Sequence, residues 1–279
     1  CPSLPATVSV VMNPVPTVAS VTGTPTSVCD GANSQLNVSA SLPTSAYCLP
    51  TSGCSFPDII SNVTFAGINR TSACDGANVN FFASPAANVV AGTSYSLSVT
   101  TDGDTEGAAV WIDYNRDGVF AAGEQLLNGF LGTAPATYTA TVAVPLTAYN
   151  GTTRMRVRAT WNINPNSLAI PACSGVSFGE TEDYNVVITG GVDQLTYAWS
   201  PATFLNSTTI ANPMATAVHA TTPYTVSVTS GAGCTSTGNV TLTSLPLPTV
   251  DAGTYSTVCG LAAADVALVG TPAGGTFSG

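Results

Sequence analysis

The stretch TTPYTVSVTSGAGC, residues 221–234, decides the architecture. Tyr224, Val226 and Val228 alternate with Thr225, Ser227 and Thr229, the period-two pattern of a strand with one face buried. Composition extends that reading to the whole chain. Charged residues make up only 7 % of the 279 residues, against roughly 25 % in an average soluble protein. There is no lysine, only five arginines and four glutamates. Long helices need such residues on their solvent face, whereas the abundant Val and Thr suit strands. The chain is predicted to be all-β.

Working outward from this strand, LTYAWSPATFLNSTTIANP from Leu195 carries Trp199, and Cys29 lies far upstream. Cysteine, tryptophan, cysteine in that order is the arrangement of an immunoglobulin-type sandwich, with the tryptophan packed on an inter-sheet disulfide. A Cys29–Cys234 bridge is therefore expected. The ends of the sequence repeat one another: Cys1 matches Cys234, PVPTV at 14–18 matches PLPTV at 246–250, and SVCDGA matches TVCGLA around Cys29 and Cys259. Each copy has a Pro-rich joint between modules. The expected organisation has residues 1–13 closing a preceding Ig-like repeat and 14–45 plus 190–245 forming a host sandwich. Residues 46–189 form an inserted β domain, and 246–279 open a following repeat. Insertion is tolerated where a module's termini lie close together. On this reading Cys1 ends a module; lipidation of Cys1 is the alternative.

The inserted part resembles the GEVED domain, whose motif stands here as GETEDY at 179–184. AYC at Ala46, IISNVTFAGINRTS from Ile59, AGTSYSLSVT from Ala91, VWIDYNRDGVFAAGE from Val110 and GTTRMRVRA from Gly151 carry the same resemblance. Thr181 stands where the motif name has Val. The stretch from Tyr197 to Cys234 is similar to the Ig-like, PKD-like repeats of large secreted bacterial adhesins, and VALVGTPAGGTFSG from Val266 to another repeat of such proteins. The resemblance implies tandem antiparallel Ig-like β-sandwiches with a larger β-sandwich inserted in the first. It implies a secreted, non-catalytic structural module of an adhesin or filament at the bacterial cell surface. Its partners would be neighbouring copies or repeats of the same protein in a linear assembly, with glycans as a further class. The alternatives are a carbohydrate- or protein-binding module, with Tyr114, Phe120, Tyr149 and Trp161 as available aromatics, or an accessory module of a secreted hydrolase.

DYNRDGVFAAGE, residues 113–124, has the ligand spacing of a twelve-residue calcium loop. Asp113, Asn115 and Asp117 supply side-chain oxygens, Val119 a backbone carbonyl, and Glu124 closes the set with two oxygens. Gly118 permits the sharp turn. AAVWI before the loop reads as a buried strand and no amphipathic helix follows, so the loop joins β-elements. The competing reading is an Asx-rich turn. Asp102, Asp104 and Glu106 are further acidic candidates, read first as a solvated loop. Arg154, Arg156 and Arg158 share one strand face, and Glu180, Glu182 and Asp183 are their expected ion-pair partners or further cation ligands. A substrate-binding patch is the sharper alternative for the arginines.

Within the insert, Cys54–Cys74 and Cys48–Cys173 are the favoured pairings, with Cys48–Cys54 as a rival, and Cys1 and Cys259 pair outside the sequence. Disulfides imply an oxidising, extracytoplasmic space. Asn37, Asn62, Asn69, Asn150, Asn206 and Asn239 stand in N-glycosylation sequons, with O-linked sugar equally consistent. A net charge of −10 provides no basic stripe for nucleic acid and nothing to bind an anionic membrane. No apolar run reaches the ~20 residues of a membrane helix. The single histidine, His219, lies apart from the acidic motifs, and no active site is expected. Calcium is the expected cofactor.

Overall fold

A computed structural model describes residues 15–43, 46–54, 58–74, 76, 78–103, 105–131, 135–161, 170–254, 269–271, 273–274 and 276. Residues 1–13, read as the end of a preceding repeat, Asp104, Cys259 and most of the tail beyond residue 254 lie outside the described residues. The chain divides into two compact units, Cys1–Leu42 with Leu195–Gly279, and Pro43–Gln194. The discontinuous unit opens with β1 (Thr17–Thr24), β2 (Ser27–Cys29) and β3 (Ala32–Ser41). The continuous unit follows with β4 (Ile59–Phe65), β5 (Ile68–Thr71), β6 (Asn80–Val90), β7 (Ser94–Asp102), β8 (Glu106–Ile112), β9 (Gln125–Phe130), β10 (Ala136–Ala143), β11 (Gly151–Trp161) and β12 (Gly179–Thr189). The first unit resumes with β13 (Leu195–Ser200), β14 (Met214–Val218), β15 (Thr222–Ser230) and β16 (Thr235–Leu245). The architecture is all-β, as composition predicts.

In the discontinuous unit a β1-β3-β14 sheet faces a β13-β15-β16-β2 sheet. Tyr224, Val226 and Val228 on β15 are buried and meet Trp199 of β13, Leu242 of β16, Leu36 of β3 and Ala215 and Val218 of β14. This is the Ig-type layout, with β1, β3 and β14 corresponding to A, B and E and β13, β15 and β16 to C, F and G. Trp199 occupies the expected strand-C position, and its indole Nε1 donates to the Ile210 carbonyl at 3.0 Å. The second unit enters the chain between β3 and β13, the B–C connection.

The expected Cys29–Cys234 bridge is not formed. Cys29 ends β2 in register with Leu245, while Cys234 stands at the turn before Thr235. The whole length of β16 separates them, roughly 35 Å at ~3.3 Å per residue, and a disulfide needs Cα atoms within about 7 Å. Neither cysteine lies at the centre of a facing strand. Leu36 on β3 and Val226 on β15 fill the core instead.

In the continuous unit a β10-β7-β4-β5 sheet packs on a β6-β12-β11-β8-β9 sheet. Their shared core includes Val63, Phe65, Leu97, Val99 and Tyr138 against Val110, Ile112, Met155, Val157 and Tyr184. The outer face of the larger sheet is also covered. Ala109 and Trp111 form a second small core with Phe120 and Ile170, on which Tyr47 and Ala172 pack. Every residue of β8 is therefore buried, which accounts for its unbroken apolar run. Disulfides join Cys48 to Cys173 and Cys54 to Cys74. The first ties together the two covering segments, which lie 125 residues apart in sequence.

Candidate metal centre

The loop Asp113–Glu124 leaves the buried end of β8 and returns through a 3-10 turn at Ala122–Glu124 into β9. Gly118 has φ +82° and Arg116 φ +54°; both give the loop its tight left-handed bends. Asp113 is fully buried. Its Oδ2 accepts from the Tyr47 hydroxyl at 2.7 Å and from the Gly118 N–H at 3.0 Å, and its Oδ1 from the Asp117 N–H at 3.2 Å. Glu124, 7 % exposed, reaches back across the loop. Its Oε1 accepts from Tyr114 N–H at 2.9 Å and Asn115 N–H at 3.3 Å, and its Oε2 from Ala121 N–H at 3.0 Å. Asp117 accepts from Val119 N–H at 2.7 Å and from the Asn115 amide at 2.9 Å.

Burial raises the pKa of Asp113, and the Asp117 charge adds to this. Burial also raises Glu124, with Asp113 contributing. The loop's own cation does not relieve them, because Arg116 donates to the Asn150 carbonyl at 2.8 Å. The donor set is oxygen only, as a hard cation requires. In this structure the oxygens are engaged by loop N–H groups, and among the described residues no three His, Cys, Asp or Glu side chains form a ready metal cage. Two buried carboxylates that repel one another, in an all-oxygen donor set, fit calcium in chemistry. Asp113, Asn115, Asp117, Glu124 and the Val119 carbonyl are the groups that would hold it.

The arginine row lies on the outer face of β11. Arg156 clasps Asp183 through Nε at 2.7 Å and Nη2 at 2.9 Å, a bidentate pair. It also donates to the carbonyls of Cys48 at 2.9 Å and Ala172 at 3.0 Å. Arg154 reaches Asp183 at 3.3 Å and lies between the rings of Tyr47 and Phe81. Among the described residues Arg158 has no carboxylate in hydrogen-bond contact. It donates to Thr181 Oγ1 at 3.0 Å, Ser174 O at 2.9 Å and the Pro171 carbonyl, and burial lowers its pKa to about 10. The row thus fastens both covering segments to the sheet.

The expected pairing of the row with Glu180 and Glu182 is corrected. Successive side chains of a strand point to opposite faces, so Asp183 joins the arginines while Glu180 and Glu182 point into the space between the sheets. Glu180 accepts from Ile60 N–H at 2.8 Å and Asn80 Nδ2 at 3.0 Å. Glu182 accepts from the Tyr184 hydroxyl at 2.6 Å, and burial pushes its pKa up to about 7. The solvated-loop reading of Glu106 is corrected too: its side chain is wholly buried, whereas Asp102 is exposed. His219 pairs with Asp30 at 3.1 Å on the surface. Of the sequon asparagines, Asn69, Asn206 and Asn239 are exposed, while Asn37, Asn62 and Asn150 are half-buried.

Two site residues escaped the sequence reading. Tyr47 lies 66 residues from the Asp113 it touches, and Asp58, 5 % exposed, carries no motif around it.

The GEVED domain family model matches residues 107–187. That span holds the Asp113–Glu124 loop, the arginine row and the GETEDY stretch. No curated protein matches the chain. Among solved structures, a chimeric titin Z1Z2-Z1Z2 tandem functionalised with a GRGDS exogenous peptide from fibronectin is similar over 57 % of this chain and 95 % of that chain. The identity is 13 % and the TM-score 0.24. A likeness at that level carries no argument, and the Ig-like layout of the discontinuous unit rests on its strand order.

Proposed function

We propose that the chain is a calcium-stiffened, non-catalytic structural module of a secreted bacterial adhesin or filament, joined in line with copies or repeats of itself. The observation that carries this reading is the Asp113–Glu124 loop. Asp113, Asp117 and Glu124 gather at the end of a strand buried on both faces, with Asp113 and Glu124 buried and the loop's own Arg116 turned away to the Asn150 carbonyl. Calcium would neutralise them and fix β8 to β9. The two disulfides are compatible with an oxidising extracellular space. Among the described residues no helix is long and apolar enough to cross a membrane. A binding module is the second reading, favoured by Phe81 and Phe178, which are 47 % and 39 % exposed on the inserted unit.

Thermal unfolding of the full chain in calcium and in chelator, disulfides intact, tests the first reading. With ~2 mM ion and a dissociation constant near ~0.1 mM, linkage gives roughly 1.8 kcal/mol. That corresponds to a rise in Tm of about 4–7 °C. Asp117→Ala removes the loop's share of the rise if the loop holds the ion. An unchanged Tm in both proteins makes the loop a hydrogen-bonded acidic turn.

A further inference from the structure

A second group of acids lies inside the inserted unit, at the end of the sandwich where the chain passes from β7 to β8. Glu106, the first residue of β8, is 0 % exposed; its carboxylate oxygens receive no hydrogen bond from an N–H or hydroxyl group, and its side-chain contact is the carboxyl of Asp58. β-pairing places it opposite Trp161 on β11, two residues from the Ala108–Ala159 pair. Ala159 in turn faces Glu180 on β12, so Glu106 and Glu180 project from the same inner face of the sheet. From the opposite sheet comes Asp58, also buried, directly before Ile59, which pairs with Asp102. Glu180 is anchored there by the Ile60 N–H and the Asn80 amide. Burial first, then the charge and contact of Asp58 and the charges of Glu180 and Asp102, push Glu106 up to about 9.

A buried carboxylate whose side-chain contact is another carboxyl is costly unless a positive species stands between them. No arginine hydrogen-bonds Glu106: Arg154 and Arg156 pair with Asp183 on the far face of the sheet, Arg158 points there with them, Arg116 donates to the Asn150 carbonyl, and Arg70 lies over the Phe82 ring with its charge acting on Glu182. The wider charge balance of the unit points the same way. All four glutamates of the chain are buried, together with Asp58, Asp113 and Asp183, against only two buried arginines.

We propose that Glu106 and Asp58, in the field of Glu180 and Asp102, form a second divalent-cation site, distinct from the Asp113–Glu124 loop and selective for a hard ion such as calcium. The ion would bridge Glu106 of one sheet to Asp58 of the other and close this end of the sandwich. A proton shared between Glu106 and Asp58 is the rival occupant.

Equilibrium dialysis of the full chain against millimolar calcium, with bound metal counted by atomic emission, tests the proposal. The expected result is two ions per wild-type chain, one in Glu106→Gln, one in Asp117→Ala and none in the double variant. Glu106→Gln keeps the side chain's shape and removes its charge. In chelator it should therefore unfold at or above the wild-type temperature, and in calcium below it. Full wild-type binding by Glu106→Gln, with the same Tm change in calcium and in chelator, overturns the proposal in favour of the proton. If Glu106→Gln does not fold, Asp58→Asn replaces it with the same criteria. Loss of an ion in Glu106→Gln but not in Asp117→Ala would sink the loop reading and leave this one standing.

Discussion

Gly179 shows how closely the inserted unit is built around single positions. It opens β12 with φ +135°, a region that side chains seldom enter. A Cβ there would overlap the carbonyl oxygen of Ala159 on the neighbouring strand. Its N–H donates to the Gly53 carbonyl at 3.1 Å, which draws one covering segment onto the sheet. Gly179→Ala is expected to cost at least ~2 kcal/mol through strain and overpacking. Urea denaturation of the full chain measures this, and a loss within ~0.5 kcal/mol would show that the backbone yields there. At the same scale, what sequence spacing revealed and what it hid follow from distance. The loop ligands lie within twelve residues, so their pattern was visible. Tyr47 and Asp58 reach the buried acids from far away in the chain, and nothing local marks them.

At the scale of elements, period-two alternation made β15 legible, and the unbroken apolar run AAVWI marked β8 as a buried strand. The same alternation, applied to GETEDY, separates its acids: Asp183 faces the arginines, and Glu180 and Glu182 face the core. Grouping the three acids by proximity in sequence ignored the pleat. The cysteines show a similar division. Cys48 and Cys173 flank a domain whose ends must meet, whereas the Cys-Trp-Cys order says nothing of where on a strand each cysteine falls. The segments around Cys48 and Cys173 have little regular structure of their own. They are held by Arg156 and Arg158, by the small core around Trp111 and Phe120, and by the disulfide. Replacing both cysteines by serine should cost about 2–5 kcal/mol, as expected for a bridge closing a long loop. Limited proteolysis should then cut within residues 46–54 or 170–178 before the strands. Cleavage elsewhere first would mean that the arginine contacts suffice to hold them.

For the whole molecule the deciding quantity is where its few charges go. A chain with a net charge of −10 would be expected to spread its acids over the surface for solubility. Instead, among the described residues, seven of them, including every glutamate, are buried in the inserted unit. Of these, only Asp183 is met by an arginine; buried charge without an opposite charge destabilises a fold strongly, and the proposed function answers this with positive ions supplied from outside. Calcium at millimolar concentration would serve under that proposal. The all-β class was readable from composition alone, while the excess of buried acid appears only when burial is known residue by residue.

Crystals of the full chain grown in calcium, with anomalous diffraction collected at long wavelength, test the central claim most directly. The account predicts a peak about 2.3–2.6 Å from oxygens of Asp113, Asp117 and Glu124, with a second beside Glu106. A loop without a peak, in which Asp113 and Glu124 still accept hydrogen bonds from Gly118 and Tyr114, would contradict it.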